Sequence, residues 1–209
     1  MADLKTLLES LAAAESGSEG ERVRALREQI VVEYPATEAA SEAAYKMGLY
    51  SLVHERRLDR AVYFFEEAVL APKGYWVDAA KTSLALCYYR QGLGSKALLT
   101  LRKVGYVEKA SVHSVAALML LETLLMQERK ADEAKRVRAD RIKQLYTLVK
   151  GPEAVQSLRD KGYFLYMLGL ALVDERKLDE AKTFFLEAKA LGEEQLGSDT
   201  YKQVCDWIG

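Results

Sequence analysis

The chain has 209 residues, 50% of them apolar, and its 30 basic side chains are offset by 31 acidic ones to leave a formal net charge of −1. That balance, with a pI near 6.2, argues against a nucleic-acid binder, which normally carries a basic excess or stripe. Two cysteines, Cys87 and Cys205, make neither a disulfide framework nor a four-ligand zinc site. The apolar runs are too short to span a bilayer, and Met1-Ala2-Asp3-Leu4-Lys5 has no basic leader, so the expectation is a soluble cytoplasmic protein without membrane insertion.

Helical spacing runs through the whole sequence, and nothing alternates in the manner of a strand. Leu4, Leu7, Leu8 and Leu11 mark one face of a first helix that closes at Ser16-Gly17-Ser18. Val23, Leu26, Ile30 and Val31 are the inward set of a second helix, from about Glu19 to Glu33, which Pro35 ends. Thr37 is a good N-cap for a third, carrying Tyr45, Leu49 and Leu52 to about Glu55. Further breaks fall at Pro72-Lys73-Gly74, Gly92-Leu93-Gly94, Gly105, Gly151-Pro152 and between Gly192 and Gly197. About eleven helices are expected, in one all-α domain covering residues 1–209.

A repeat lies underneath these helices. Glu55-Arg56-Arg57-Leu58-Asp59-Arg60-Ala61 matches Glu175-Arg176-Lys177-Leu178-Asp179-Glu180-Ala181, and both continue to a Phe pair and an alanine: Phe64, Phe65 and Ala68, then Phe184, Phe185 and Ala188. Glu128-Arg129-Lys130-Ala131-Asp132-Glu133-Ala134 is a third copy. Gly92-Leu93-Gly94-Ser95-Lys96-Ala97 occupies the same turn, and Ala25 starts a weaker copy. The anchoring alanines Ala25, Ala61, Ala97, Ala134 and Ala181 are 36, 36, 37 and 47 residues apart. A small residue early in the second helix of a hairpin lets it approach the first, and a large apolar residue one turn later fills the space beyond.

On these residues the sequence resembles the tetratricopeptide repeat family, whose unit is a helical hairpin of about 34 residues. Leu165, Leu168, Gly169 and Leu172 fit the family's first-helix pattern, and Leu178, Ala181, Phe185 and Ala188 its second. The copy around Ala61 fits through Tyr45, Leu52, Leu58, Phe65 and Ala68, with its glycine, Gly48, one place early. Lys81 and Glu122 depart from the pattern, standing where apolar or small residues are usual. The resemblance implies a right-handed superhelical solenoid of about five hairpins, over residues 3–34, 37–71, 75–106, 111–150 and 152–191. A capping helix over 198–208 would carry Tyr201, Val204, Cys205 and Ile208 on one face.

No catalytic pattern survives inspection. The Gly92–Ala97 segment follows a helical run rather than a strand, so it is a turn and not a dinucleotide loop, and no phosphate-loop Gly-Lys-Ser or Gly-Lys-Thr occurs. His54 and His113 lack partners at metal-ligand spacing. Cys87 sits in an apolar helix as a small core residue. The adjacent pairs Glu66-Glu67 and Glu193-Glu194 diverge on a helix and suit solvated faces. No enzyme, cofactor or metal is expected.

What remains is surface. In the family the first helices line a concave groove, and the resemblance places groove positions eighteen, fifteen, eleven and eight residues before each anchor. These are Ala43, Lys46, Tyr50 and Val53; Ala79, Thr82, Leu86 and Tyr89; Ala116, Met119, Thr123 and Met126; and Tyr163, Tyr166, Leu170 and Val173. Lys46 is their single charge, with Arg90 close by. The Lys, Arg and Asn donors of the family's carboxylate-clamp type are missing, with Tyr50, Leu86, Thr123 and Leu170 in the key places. The expected partner is therefore another protein, presented as an amphipathic helix or an apolar, aromatic segment, and the role that of a non-catalytic adaptor. The alternatives are burial of the same face by the protein's own helices and self-assembly into a homo-oligomer. Single-stranded RNA, read by some helical-hairpin repeats, is disfavoured by the apolar list and the pI.

Two other features stand out. The long last interval places extra residues between Ala139 and Lys161, expected as a projecting hairpin arm with Ile142, Leu145, Val149, Val155 and Leu158 as its stripes, the alternative being that this segment packs on the next helix pair. The stretch from Arg129 to Lys143 carries seven basic and three acidic residues and is expected as a solvated outer face, the alternative being a docking site for an acidic partner.

Overall fold

A computed structural model describes residues 3–104, 110–151 and 155–209, apart from the side chain of Leu158, and every regular element among them is a helix. The contacts divide the chain into two units, residues 1–106 and 107–209. The first holds α1 (Leu4–Ser16), α2 (Gly20–Glu33), α3 (Glu38–Val53), α4 (Leu58–Ala68), α5 (Tyr75–Arg90) and α6 (Gly94–Arg102). The second holds α7 (Val112–Gln127), α8 (Ala131–Lys150), α9 (Leu158–Asp174), α10 (Leu178–Ala190), α11 (Glu193–Leu196) and α12 (Ser198–Ile208). The breaks expected at Gly105 and Pro152 lie outside the described residues.

From α1 to α6 and from α7 to α10 each helix packs on its successor, giving the hairpins α1/α2, α3/α4 and α5/α6, then α7/α8 and α9/α10. One turn chemistry builds all five. Ser18, Arg56, Gly92, Arg129 and Arg176 hold the left-handed conformation, with φ of 56°, 55°, 78°, 60° and 60°. Four of the five carry a side chain in a region that favours glycine, so something must stabilise it. The stabilising bond is that of the following residue. Its N–H closes back on the preceding helix: Glu19 to the Ala14 carbonyl, Leu93 to Tyr88, Lys130 to Leu125 and Lys177 to Leu172, at 2.9–3.0 Å. Its own carbonyl then accepts the first bond of the next helix.

In the α3/α4 turn the same bond runs from Arg57 to Ser51, one residue further back. That single extra residue explains why Gly48 reads one place early. A Cβ at Gly48 would lie 2.6 Å from the Phe65 ring, as one at Gly169 would lie 2.4 Å from Phe185. Both glycines serve the same close approach.

The anchors Ala61, Ala97, Ala134 and Ala181 are at most 1% exposed, packed at the hairpin seams. Ala25 is not an anchor: it is exposed. The residue five places after the left-handed Ser18 is Val23, whose N–H takes the Glu19 carbonyl as Ala61 takes that of Arg57. The first hairpin thus uses a half-buried valine in the alanine place.

Beyond the seams, Ile30, Met47, Phe65 and Leu101 are the large fully buried side chains of the first unit, and Leu118, Leu121, Leu125, Phe164, Leu165, Leu168 and Phe185 are among those of the second. Full burial of such side chains contributes about 1.5–3 kcal/mol each. Among the described residues, those after Ala139 form no projecting arm. They lengthen α8, and Leu145, Leu148 and Val149 join the core with Phe164, Leu165 and Leu168, while Ile142, Tyr146 and Val155 pack against it. Apolar stripes of that length bury more by lying along α9 than by standing in water.

The C-terminal α12 packs chiefly on α10. Val204 is its fully buried contact, and Trp207 stacks on Phe185 with ring centroids 5.6 Å apart. No described helix is long and apolar enough to cross a membrane.

Candidate functional site

In the first unit the expected groove positions divide by depth. Ala43, Ala79 and Thr82 are buried, and Thr82 donates to the Asp78 carbonyl of its own helix at 2.9 Å. Tyr50 is half-buried, with the Arg24 guanidinium 4.8 Å from its ring centroid and the His54 ring tilted against it at 5.1 Å. Lys46 pairs with Glu42 at 2.6 Å and lies over the Trp76 ring at 5.6 Å. Ala43 and Lys46 also border a small hollow of about 180 Å³ with Leu8, Leu11, Glu15 and Arg27. Leu86 and Tyr89 are half-buried, Arg90 is exposed, and Val53 is the most open apolar side chain of the set, at 62%.

The second unit brings four of its eight predicted residues together. Met119, Thr123 and Met126 project from successive turns of α7, a spacing that puts them on one face. Leu170 faces them from α9. With Glu122, Gln127, Arg141, Met167 and Asp174 they line an open hollow of about 600 Å³. Met119 and Met126 are 39% and 51% exposed. Ala116 and Val173 are half-buried. Tyr163 is exposed and packs on Phe164, whereas Tyr166 donates to Gln203 on α12 and lies 6.2 Å from the Phe185 ring. The C-terminal helix therefore holds one of the tyrosines expected to face a partner.

Beside the hollow lies a charge cluster that sequence reasoning did not assemble. The stretch from Arg129 to Lys143 is not solvated throughout, because Arg138 and Arg141 turn inward. Arg141 is 5% exposed and Glu122 7%. Arg138 donates through Nε to Glu122 Oε1 at 2.6 Å and through Nη1 to Glu175 Oε1 at 3.3 Å. Arg141 Nη2 lies 2.9 Å from Glu122 Oε2, close enough for an ion pair but out of alignment for a hydrogen bond, and 3.9 Å from Asp174 Oδ2. Arg138 keeps its proton beyond the usual arginine range; burial opposes this, but the bond to Glu122 and the surrounding carboxylates outweigh it. A usable signal was present in the sequence: one glutamate in the apolar α7, and two arginines three apart on the amphipathic α8.

Among the described residues no three or more His, Cys, Asp or Glu side chains cluster so as to hold a metal ion. Cys87 is fully buried, and burial pushes its thiol up to about 11, so it stays protonated at neutral pH. Burial holds the His113 imidazole below its ordinary value. What the site can supply is apolar contact area, thioether walls and a rim of charge.

No family model matches the chain, and no curated protein does either. Among solved structures, the crystal structure of BtubC (BKLC) from P. vanneervenii is similar, with a TM-score of 0.48 and 18% identity over 98% of this chain and 79% of that one.

Proposed function

We propose that this chain is a tetratricopeptide-type adaptor, its hairpins forming a solenoid whose first-helix faces hold a partner protein and perform no catalysis. The observation that carries the reading is exposure at positions that the resemblance assigns to the groove: Val53, Met119, Met126 and Tyr163 are apolar or aromatic and 39–62% exposed. Met119 and Met126 share one face of α7 beside an open hollow, and monomeric proteins rarely leave such an apolar face in water without a contact to make. The repeated left-handed turn and the four buried anchor alanines support the family likeness.

The test is affinity capture from the native cell, with partners identified by mass spectrometry, using the natural chain and the variants Val53→Asp and Met126→Asp. Tyr50 and Tyr166 are poorer probes, since Arg24 and Gln203 engage them. Capture lost in either variant with melting unchanged supports the adaptor. Capture indifferent to both variants overturns it. A mass that rises with concentration in light scattering, and falls back in the same variants, assigns the faces to self-assembly instead.

A further inference from the structure

The hollow between α7 and α9 has a chemistry more specific than apolar. The chain contains five methionines, and Met119, Met126 and Met167 all line this one space. Unbranched thioether side chains re-pack around differently shaped apolar groups, which suits a surface that accepts a side chain from elsewhere. The charge beside them is unequal. Three carboxylates, Glu122, Asp174 and Glu175, face two guanidiniums, Arg138 and Arg141. Glu122 is nearly buried and engaged by both arginines, and Glu175 is engaged by Arg138.

The surplus falls on Asp174. Its side chain is 53% exposed, and its approach to Arg141, at 3.9 Å, is the longest in the cluster. A carboxylate poorly matched within the fold and open at the rim of an apolar hollow is complementary to a cation arriving with an apolar neighbour.

Resting on the adaptor reading, we infer that this hollow is the seat for a basic amphipathic helix. One aliphatic side chain of that helix enters between Met119, Met126 and Leu170, and a lysine or arginine beside it pairs with Asp174. An acidic segment is disfavoured, because it would bring a fourth carboxylate to a cluster already short of cations.

The experiment uses the full chain with ¹³C-methyl methionine and two synthetic helices of about 18 residues, about five turns. One is patterned from Leu and Lys, the other identically from Leu and Glu. The Leu/Lys peptide is expected to shift the methyls of Met119, Met126 and Met167 saturably. Met47, fully buried in the other unit, is the control that stays still. D174N should weaken that binding about fivefold, and Met119→Ser with Met126→Ser about tenfold.

Equal or tighter binding of the Leu/Glu peptide, or shifts untouched by D174N, overturns the inference. So do methionine shifts that follow chain concentration with no peptide present, which assign the hollow to a second copy. A chain that captures a cellular partner through Val53 but gives no methionine shift with the Leu/Lys peptide overturns this inference and leaves the adaptor reading standing.

Discussion

Arg138 bonds Glu122 in the seam position where, one hairpin later, Phe185 covers Gly169. Each second-helix residue comes four places after its anchoring alanine and each first-helix residue twelve before it. In α5/α6 the corresponding residues are Ala85 and Leu101, both at most 1% exposed. One architectural place thus accepts a glycine under a ring, an alanine under a leucine, or an ion pair. The ion pair is the costly solution, since desolvating both partners offsets much of their attraction. Glu122→Gln should therefore destabilise by about 3–5 kcal/mol, because Arg138 and Arg141 lose their buried counter-charge. The combination Glu122→Gly, Arg138→Phe and Arg141→Met rebuilds the apolar seam and should recover most of that loss. Urea titration of the two variants against the natural chain checks both statements.

The glycine solution makes its own prediction. Helix propensity alone would favour Gly169→Ala by about 1 kcal/mol. The new methyl, however, would meet the Phe185 ring at 2.4 Å, and that ring is also stacked against Trp207. Overpacking of this kind costs about 1–3 kcal/mol, so net destabilisation is expected. Gly48→Ala should behave alike against Phe65. Phe185→Leu added to Gly169→Ala should recover stability in thermal melting, whereas additive losses would mean that the ring is not the obstacle.

The anchor alanines separate the true repeat from its imitation. Ala181→Leu inserts three carbons into a seam where Ala181 is 1% exposed, and should cost about 1–3 kcal/mol. Ala25→Leu changes an exposed position and should stay within about 0.5 kcal/mol. If both variants melt alike, Ala25 has been misplaced here and Val23 is not its substitute.

These comparisons also mark what was legible beforehand. Helix positions followed from apolar spacing and from local devices such as Thr37, which accepts from the Ala40 N–H at 3.1 Å as an N-cap should. The four good anchors were readable because a seam tolerates only small side chains, and tight steric limits leave a sharp trace in sequence. Polar substitutions at seam positions were visible only as departures from the pattern. Lys81 proves to reach the Lys103 carbonyl at 3.0 Å and Asp78 at 3.1 Å, and Glu122 to meet two arginines. Asp78 lies one turn from Lys81, but Lys103 and the two arginines are distant in sequence, so periodicity has no means of pairing them. The fate of the residues after Ala139 was hidden for a similar reason. An apolar stripe shows that a face is covered, but not by which neighbour. Among groove positions, depth depended on neighbouring helices, and so Thr82 and Val53 received the same expectation but differ widely in exposure.

His113 links the second unit to pH. It is half-buried near the start of α7, and burial holds its imidazole below the ordinary value of 6.5. The unfolded chain therefore takes up this proton more readily than the folded one as pH falls below 6.5. The sign follows directly: the histidine's contribution is fully present above pH 6.5 and is lost as pH falls through the folded value. Denaturant midpoints measured downward from pH 7 should decline over that interval, and the decline should be shallower in His113→Gln, which keeps a polar side chain of similar reach but does not titrate. Carboxylates titrate lower, so the difference between the two chains should already be open near pH 6. A variant whose midpoint tracks the natural chain throughout would assign the pH dependence to other groups.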